Sequence, residues 1–127
     1  MQPLLEQAPW MYSPPLVPDH AMIDLEHLRR MTQGDAALER DVLQMFKTQS
    51  AHLLARLQTM PSDMPALVHT LKGSSRAIGA FDVSDAAEAL ESALLIESDV
   101  STAMKMLASA LDGTRGAIDA ILGDRKS

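Results

Sequence analysis

The chain has 127 residues, 46% of them apolar and 3% aromatic, with a net charge of −6 and no cysteine. That length suits one domain around one core. The acidic balance weighs against nucleic acid and anionic membrane as partners, since both require clustered Lys and Arg, and the missing cysteines exclude disulfides, thiol catalysis and thiolate metal sites. No apolar run approaches the roughly 20 residues of a membrane-spanning helix. The first basic residue is Arg29, too late for the charged start of a secretory signal. The expectation is a cytoplasmic protein.

Residues 1–18 form a leader that holds five of the seven prolines, Pro3, Pro9, Pro14, Pro15 and Pro18. Proline lacks the backbone donor and fixes φ, so this stretch is expected to be extended and not helical. It also carries Trp10 and Tyr12, the only Trp and Tyr of the chain, with Leu4, Leu5, Met11, Leu16 and Val17. A purely solvated tail rarely holds so much apolar surface. The plainer reading folds it back on the domain, and the sharper one makes it a partner-binding segment.

From residue 19 to 127 the pattern is helical, rich in strong helix formers and free of alternating β-branched runs. A short helix is expected from Asp24 to Met31, with Leu25 and Leu28 inward, ending near Gly34. Asp35 then caps a long helix whose inward stripe is Leu38, Val42, Met45, Phe46, Leu53, Leu54 and Leu57. Pro61 ends it. Ser62 or Asp63 caps a third helix, with Pro65 tolerated in the first turn, running as far as Phe81. Ser84 is the expected cap of a fourth, with Val83, Ala87, Leu90 and Leu94 inward. Asp99 or Ser101 opens the last, where Val100, Met104, Leu107, Leu111, Thr114, Ile118 and Ile121 alternate by four and three, the pattern of a bundle seam. Short connections imply antiparallel neighbours. The expected fold is all-α, an antiparallel up-down four-helix bundle with a short additional N-terminal helix. A seam closed on itself favours a monomer.

The third helix carries the chemistry. At 100° per residue, placing His69 at the top puts Leu67, Leu71, Ser74 and Ile78 on the opposite, core side. Lys72, Gly73, Arg76 and Ala80 fall beside the histidine, with Pro65 and Ala66. Gly73 lies in the helix interior, where it costs about 1 kcal/mol relative to Ala. Beside a surface histidine, such a glycine removes the side chain that would keep another protein's backbone away. Lys72, one turn from the imidazole, can neutralise phosphoryl oxygens, and Arg76 extends the positive patch. A neutral imidazole is a good nucleophile near pH 7, and phosphoryl transfer needs mainly positioning and charge neutralisation. His69 is therefore read as a phosphoacceptor whose partner supplies the metal and the acidic pocket.

Other residues read more plainly. His20, His27 and His52 are taken as solvated polar residues without metal-ligand spacing, so no metal site is expected. Ser74 and Ser75 face the core side and lack a base, so they are small packing residues. The nine methionines are read as core filler, and Glu88, Glu91 and Glu97 as a solvated face.

The run His69-Thr70-Leu71-Lys72-Gly73-Ser74-Ser75, continuing through Arg76-Ala77-Ile78-Gly79-Ala80, closely resembles the signature of histidine phosphotransfer (HPt) domains. The similarity of arrangement extends from about Ile23 to Leu122 and includes the Leu90-Glu91 pair on the following helix. The resemblance implies a phosphorelay bundle that shuttles phosphate between receiver aspartates. It implies His69 as the phosphorylated residue, Lys72 as its electrostatic partner and Gly73 as the close-approach position. The roles of Arg76, Ala66 and Ala80 as partner-contacting residues rest on the wheel alone. Implied partners are receiver domains of response regulators, a hybrid histidine kinase, or both. No cofactor is expected on this chain, and Mg²⁺ is expected on the receiver. With no glycine-rich nucleotide loop, the chain reads as a phosphocarrier and not a kinase. The alternative is a helical adaptor that binds receivers without accepting phosphate. A third reading, the phosphoacceptor module of a chemotaxis-type kinase, is disfavoured by the short chain.

Overall fold

The computed structural model describes residues 22–126. The expected leader, with Trp10 and Tyr12, lies outside them, as does His20. Five helices follow in order: α1 (Leu25–Met31), α2 (Ala36–Gln58), α3 (Met64–Ile78), α4 (Phe81–Ile96) and α5 (Val100–Lys126). There is no strand among the described residues.

The helix boundaries follow from local chemistry. The Asp35 carboxylate accepts from the Leu38 N–H at 3.0 Å, so the expected cap of α2 forms, and Asp24, expected inside the first helix, instead caps it by accepting from the His27 N–H at 3.0 Å. Between them Gln33 (φ 54°) and Gly34 (φ 76°) turn the chain through the left-handed region. Asp63 precedes α3 without capping it through its side chain. Its carboxylate instead pairs with Arg56 at 3.1 Å, which fastens the end of α2 to the start of α3. Pro65 sits in the first turn, where no N–H is missed.

The α3–α4 junction differs from expectation. Gly79 adopts φ 85° and ends α3 at Ile78, with the Ala80 N–H donating to the Ser75 carbonyl at 2.8 Å. That left-handed stop turns the chain so sharply that α4 begins at Phe81. The third helix is therefore shorter than predicted. Ser84 lies inside α4 as a buried residue, its hydroxyl donating to the Phe81 carbonyl at 2.9 Å and capping nothing.

Helices α2 to α5 close a ring, each packing on its chain neighbours and α2 also on α5, while α1 lies against α3. This is the expected antiparallel four-helix bundle with an added N-terminal helix. Leu43, Leu57, Val68, Leu71, Leu90, Leu107 and Ile118 are wholly buried at its centre. Along α5, Leu107, Leu111, Thr114 and Ile118 are buried as predicted, with Val100, Met104 and Ile121 half-buried beside them.

The stripe on α2 is shifted. Leu38 and Met45 are exposed, whereas Glu39, Leu43 and Ser50 are buried with Phe46 and Leu57. Counting large apolar residues misplaced the inward face, because that face includes a small Ser50 and a Glu39 whose carboxylate lies 4.0 Å from Arg29 of α1. The methionines are corrected likewise. Met64 is buried, but Met31, Met45, Met60 and Met106 are exposed, so they are not core filler.

Candidate functional site

The chain's two shortest-range constraints set the site. Asp63 and Pro65 start α3, Gly79 stops it, and Leu67, Val68, Leu71, Ser75 and Ile78 are drawn into the core. The Ser75 hydroxyl is spent on the Leu71 carbonyl at 2.8 Å, so it packs as a small residue and not as a nucleophile. Ser74 is half-buried towards α2. His69 is left on the outer face with its side chain 74% exposed. Ala66, Gly73 and Arg76 are exposed on the same face.

Ala80 does not join them. It is completely buried, because the helix ends before it and the wheel that placed it beside His69 no longer applies. As a residue on an exposed partner-contacting face, Ala80 is withdrawn.

Glu91 of α4 is the residue that sequence reasoning passed over as a solvated acid. One of its oxygens lies 3.3 Å from His69 Nδ1 and the other accepts from Lys72 Nζ at 2.7 Å. Its side chain is 26% exposed and that of Lys72 only 19%, so the pair is seated in the α3–α4 groove. The Lys72 ammonium holds the Glu91 carboxyl below the usual carboxylate range, His69 adds to this, and partial burial opposes it. Lys72 is thus not a free cation beside the imidazole. It is an ammonium tethered to a carboxylate that also reaches the ring. The only signal in the sequence was the Leu90-Glu91 pair, where the fully buried Leu90 fixes the side of α4 from which Glu91 reaches α3.

Geometry also separates the tautomers. An ionised carboxylate only accepts, so an Nδ1 atom bonded to Glu91 carries the proton. Nε2 then keeps its lone pair and points away from the carboxylate on an exposed ring. The arrangement supplies an oriented nucleophilic nitrogen, a base-side partner for the other nitrogen, and a positive charge at the margin.

Gly73 adds access. A Cβ built there would meet nothing within 4 Å, so the fold itself makes no demand for glycine at this position. His52 is exposed on α2, remote from this cluster in sequence and on another element. His27 is half-buried and meets the Phe81 ring edge-on, with centroids 5.2 Å apart, so it is a packing residue and not simply a solvated one. Among the described residues no group of His, Asp and Glu has the arrangement of a metal site. No helix of the described residues is long and apolar enough to cross a membrane.

Comparison with protein families adds an independent finding: the model of the Hpt domain matches residues 41–124, about two-thirds of the chain and all of the site. No curated protein and no solved structure is matched.

Proposed function

As the chain belongs to the Hpt domain family, whose members carry phosphoryl groups on histidine in phosphorelays, we propose that His69 is its phosphoacceptor, charged by one receiver-domain aspartate and discharged to another. The observation that carries this reading is the Glu91 contact at Nδ1, which leaves Nε2 of an exposed ring as the free nitrogen. In the proposed step the Nε2 lone pair attacks phosphorus in line. The N–P bond forms as the bond from phosphorus to the aspartyl oxygen breaks, and the aspartate leaves with that electron pair as a carboxylate.

The ring then carries the positive charge, which the Glu91 carboxylate offsets through the retained Nδ1 proton. A cationic ring is a good leaving group, so the same contact that orients the attack keeps the phosphoryl group transferable. Glu91 acts here as a positioning residue, and Lys72 holds it in place while offering positive charge at the site's edge. Arg76 extends that charge along α3, while Ala66 and Gly73 let the receiver's backbone approach. The receiver brings the Mg²⁺ and the acidic pocket, and this chain acts as a monomeric carrier without ATP-dependent autophosphorylation.

Incubation with a phosphorylated receiver and Mg²⁺ tests the reading. Label is expected to move to the wild type and not to His69→Gln. A His69→Gln protein that takes up label sinks the assignment, and receiver binding with no acid-labile phosphate on the wild type establishes the adaptor instead.

A further inference from the structure

Beside His69, helices α3 and α4 hold open a cleft of about 370 Å³, lined by Pro65, Glu88, Glu91, Ser92, Leu94 and Leu95. Leu95 is 85% exposed, more than any other large apolar residue among the described residues. A singly exposed leucine is ordinary. This one shares a concave surface with Leu94 and Pro65, and apolar surface gathered in that way marks a contact site.

The cleft continues the His69 site. Glu91 belongs to both: it lines the cleft, and one of its oxygens lies 3.3 Å from His69 Nδ1. Helices α3 and α4 run antiparallel from the turn at Gly79, so four residues back on α3 and four forward on α4 lead the same way. Those steps go from His69 to Pro65 and from Glu91 to Leu95, each about 6 Å at 1.5 Å per residue. The cleft is the next turn of the face on which His69 stands.

Size names the occupant. Even a small transient interface covers about 600 Å² on each partner, far more than one imidazole presents. A receiver that closes its acidic pocket around the ring has protein on every side of it, and so lies over the adjoining turn. To that extent the inference rests on the receiver being the partner of His69. Charge narrows the chemistry further. Glu91 is engaged by Lys72 and His69, whereas Glu88, exposed on the rim, makes no ion pair among the described residues. An apolar side chain entering beside Leu95, with a cation next to it, satisfies both the cleft and that carboxylate.

We propose that the α3–α4 cleft selects among receivers, accepting an apolar side chain that a Lys or Arg neighbours on the receiver surface. Leu95 supplies the contact area and Glu88 the charge. Both are specificity-determining residues, and neither takes part in the transfer chemistry.

Receiver domains of the source organism, titrated calorimetrically onto the full chain, test this, with the tightest binder as the probe. Leu95→Gln is expected to weaken its binding roughly tenfold, and Leu95→Met to keep it near the wild-type value. Glu88→Lys weakens it several-fold at low salt and less at high salt. Ile96→Gln, similarly exposed but facing the α4–α5 side, leaves the affinity unchanged. All three positions are exposed and helical, so far-ultraviolet circular dichroism stays native in each variant. The proposal is overturned by a panel in which no receiver binds, by wild-type affinity in Leu95→Gln or Glu88→Lys, or by an equal loss in Ile96→Gln. The phosphoacceptor reading is judged apart from it. A wild type that takes no label yet binds through Leu95 loses that reading and keeps the cleft, and label on His69 with undiminished binding by Leu95→Gln does the reverse.

Discussion

Two glycines six residues apart on one helix end in opposite situations. At Gly79 the backbone is left-handed (φ 85°), and an added Cβ would lie 2.8 Å from the Asp24 carbonyl oxygen. At Gly73 the backbone is helical and the space beside it is empty. The first glycine is required by the chain itself, to stop α3 and to let α1 close against it. The second costs helix stability and repays nothing inside the fold. A residue that weakens its own helix without an internal reason points outward, and here it adjoins His69.

Substitutions at the two positions break or sharpen this contrast. Gly79→Ala is expected to lower stability by about 2 kcal/mol or more, from left-handed strain and the collision with Asp24; denaturant unfolding measures it. Transfer per folded molecule stays near wild type, and a stable Gly79→Ala protein would contradict the requirement for glycine at this turn. Gly73→Leu should show the reverse: unfolding at or above the wild-type midpoint, with transfer from a phosphorylated receiver slowed roughly tenfold, equal to about 1.4 kcal/mol in the barrier. Normal transfer by that variant removes the close-approach argument. Gly73→Ala is the mild form, raising stability by up to about 1 kcal/mol on helix propensity alone.

The smallest effects concern the α3–α4 groove. Glu91→Gln loses the ion pair with Lys72, worth about 0.5 kcal/mol for a partly exposed pair. Because the Glu91 carboxyl titrates below its ordinary range in the folded state, its contribution is complete above the ordinary carboxylate value, about pH 4.3. It is lost as pH falls through the lowered folded value. The stability gap between wild type and Glu91→Gln should therefore hold at neutral pH and close on acidification. A gap that widens in acid would reverse the sign of the assignment.

The same contrast explains what the sequence disclosed. Caps and stops act within four residues, so Asp35 and Gly34 were legible, and so was the outward phase of His69 against Leu71 and Ile78. The Ala80 placement failed because a wheel has no way to register a left-handed residue that ends the helix one position earlier. Glu91 was missed because its role arises only when α4 is laid beside α3, and nothing local distinguishes it from Glu88. The α2 stripe slipped for a related reason: burial of Glu39 depends on α1 lying across it.

The sharp turn at Gly79 has a consequence for how such a chain can change over generations. His69 lies ten residues before that turn and Glu91 twelve after it, so the two side chains meet at matching heights on a pair of rods joined at one end. Inserting or deleting one residue anywhere in that interval would rotate everything beyond it by about 100° and pull the two apart. The interval of 22 residues between acceptor and carboxylate works as a ruler, and a change of count within either helix is expected to separate the two side chains.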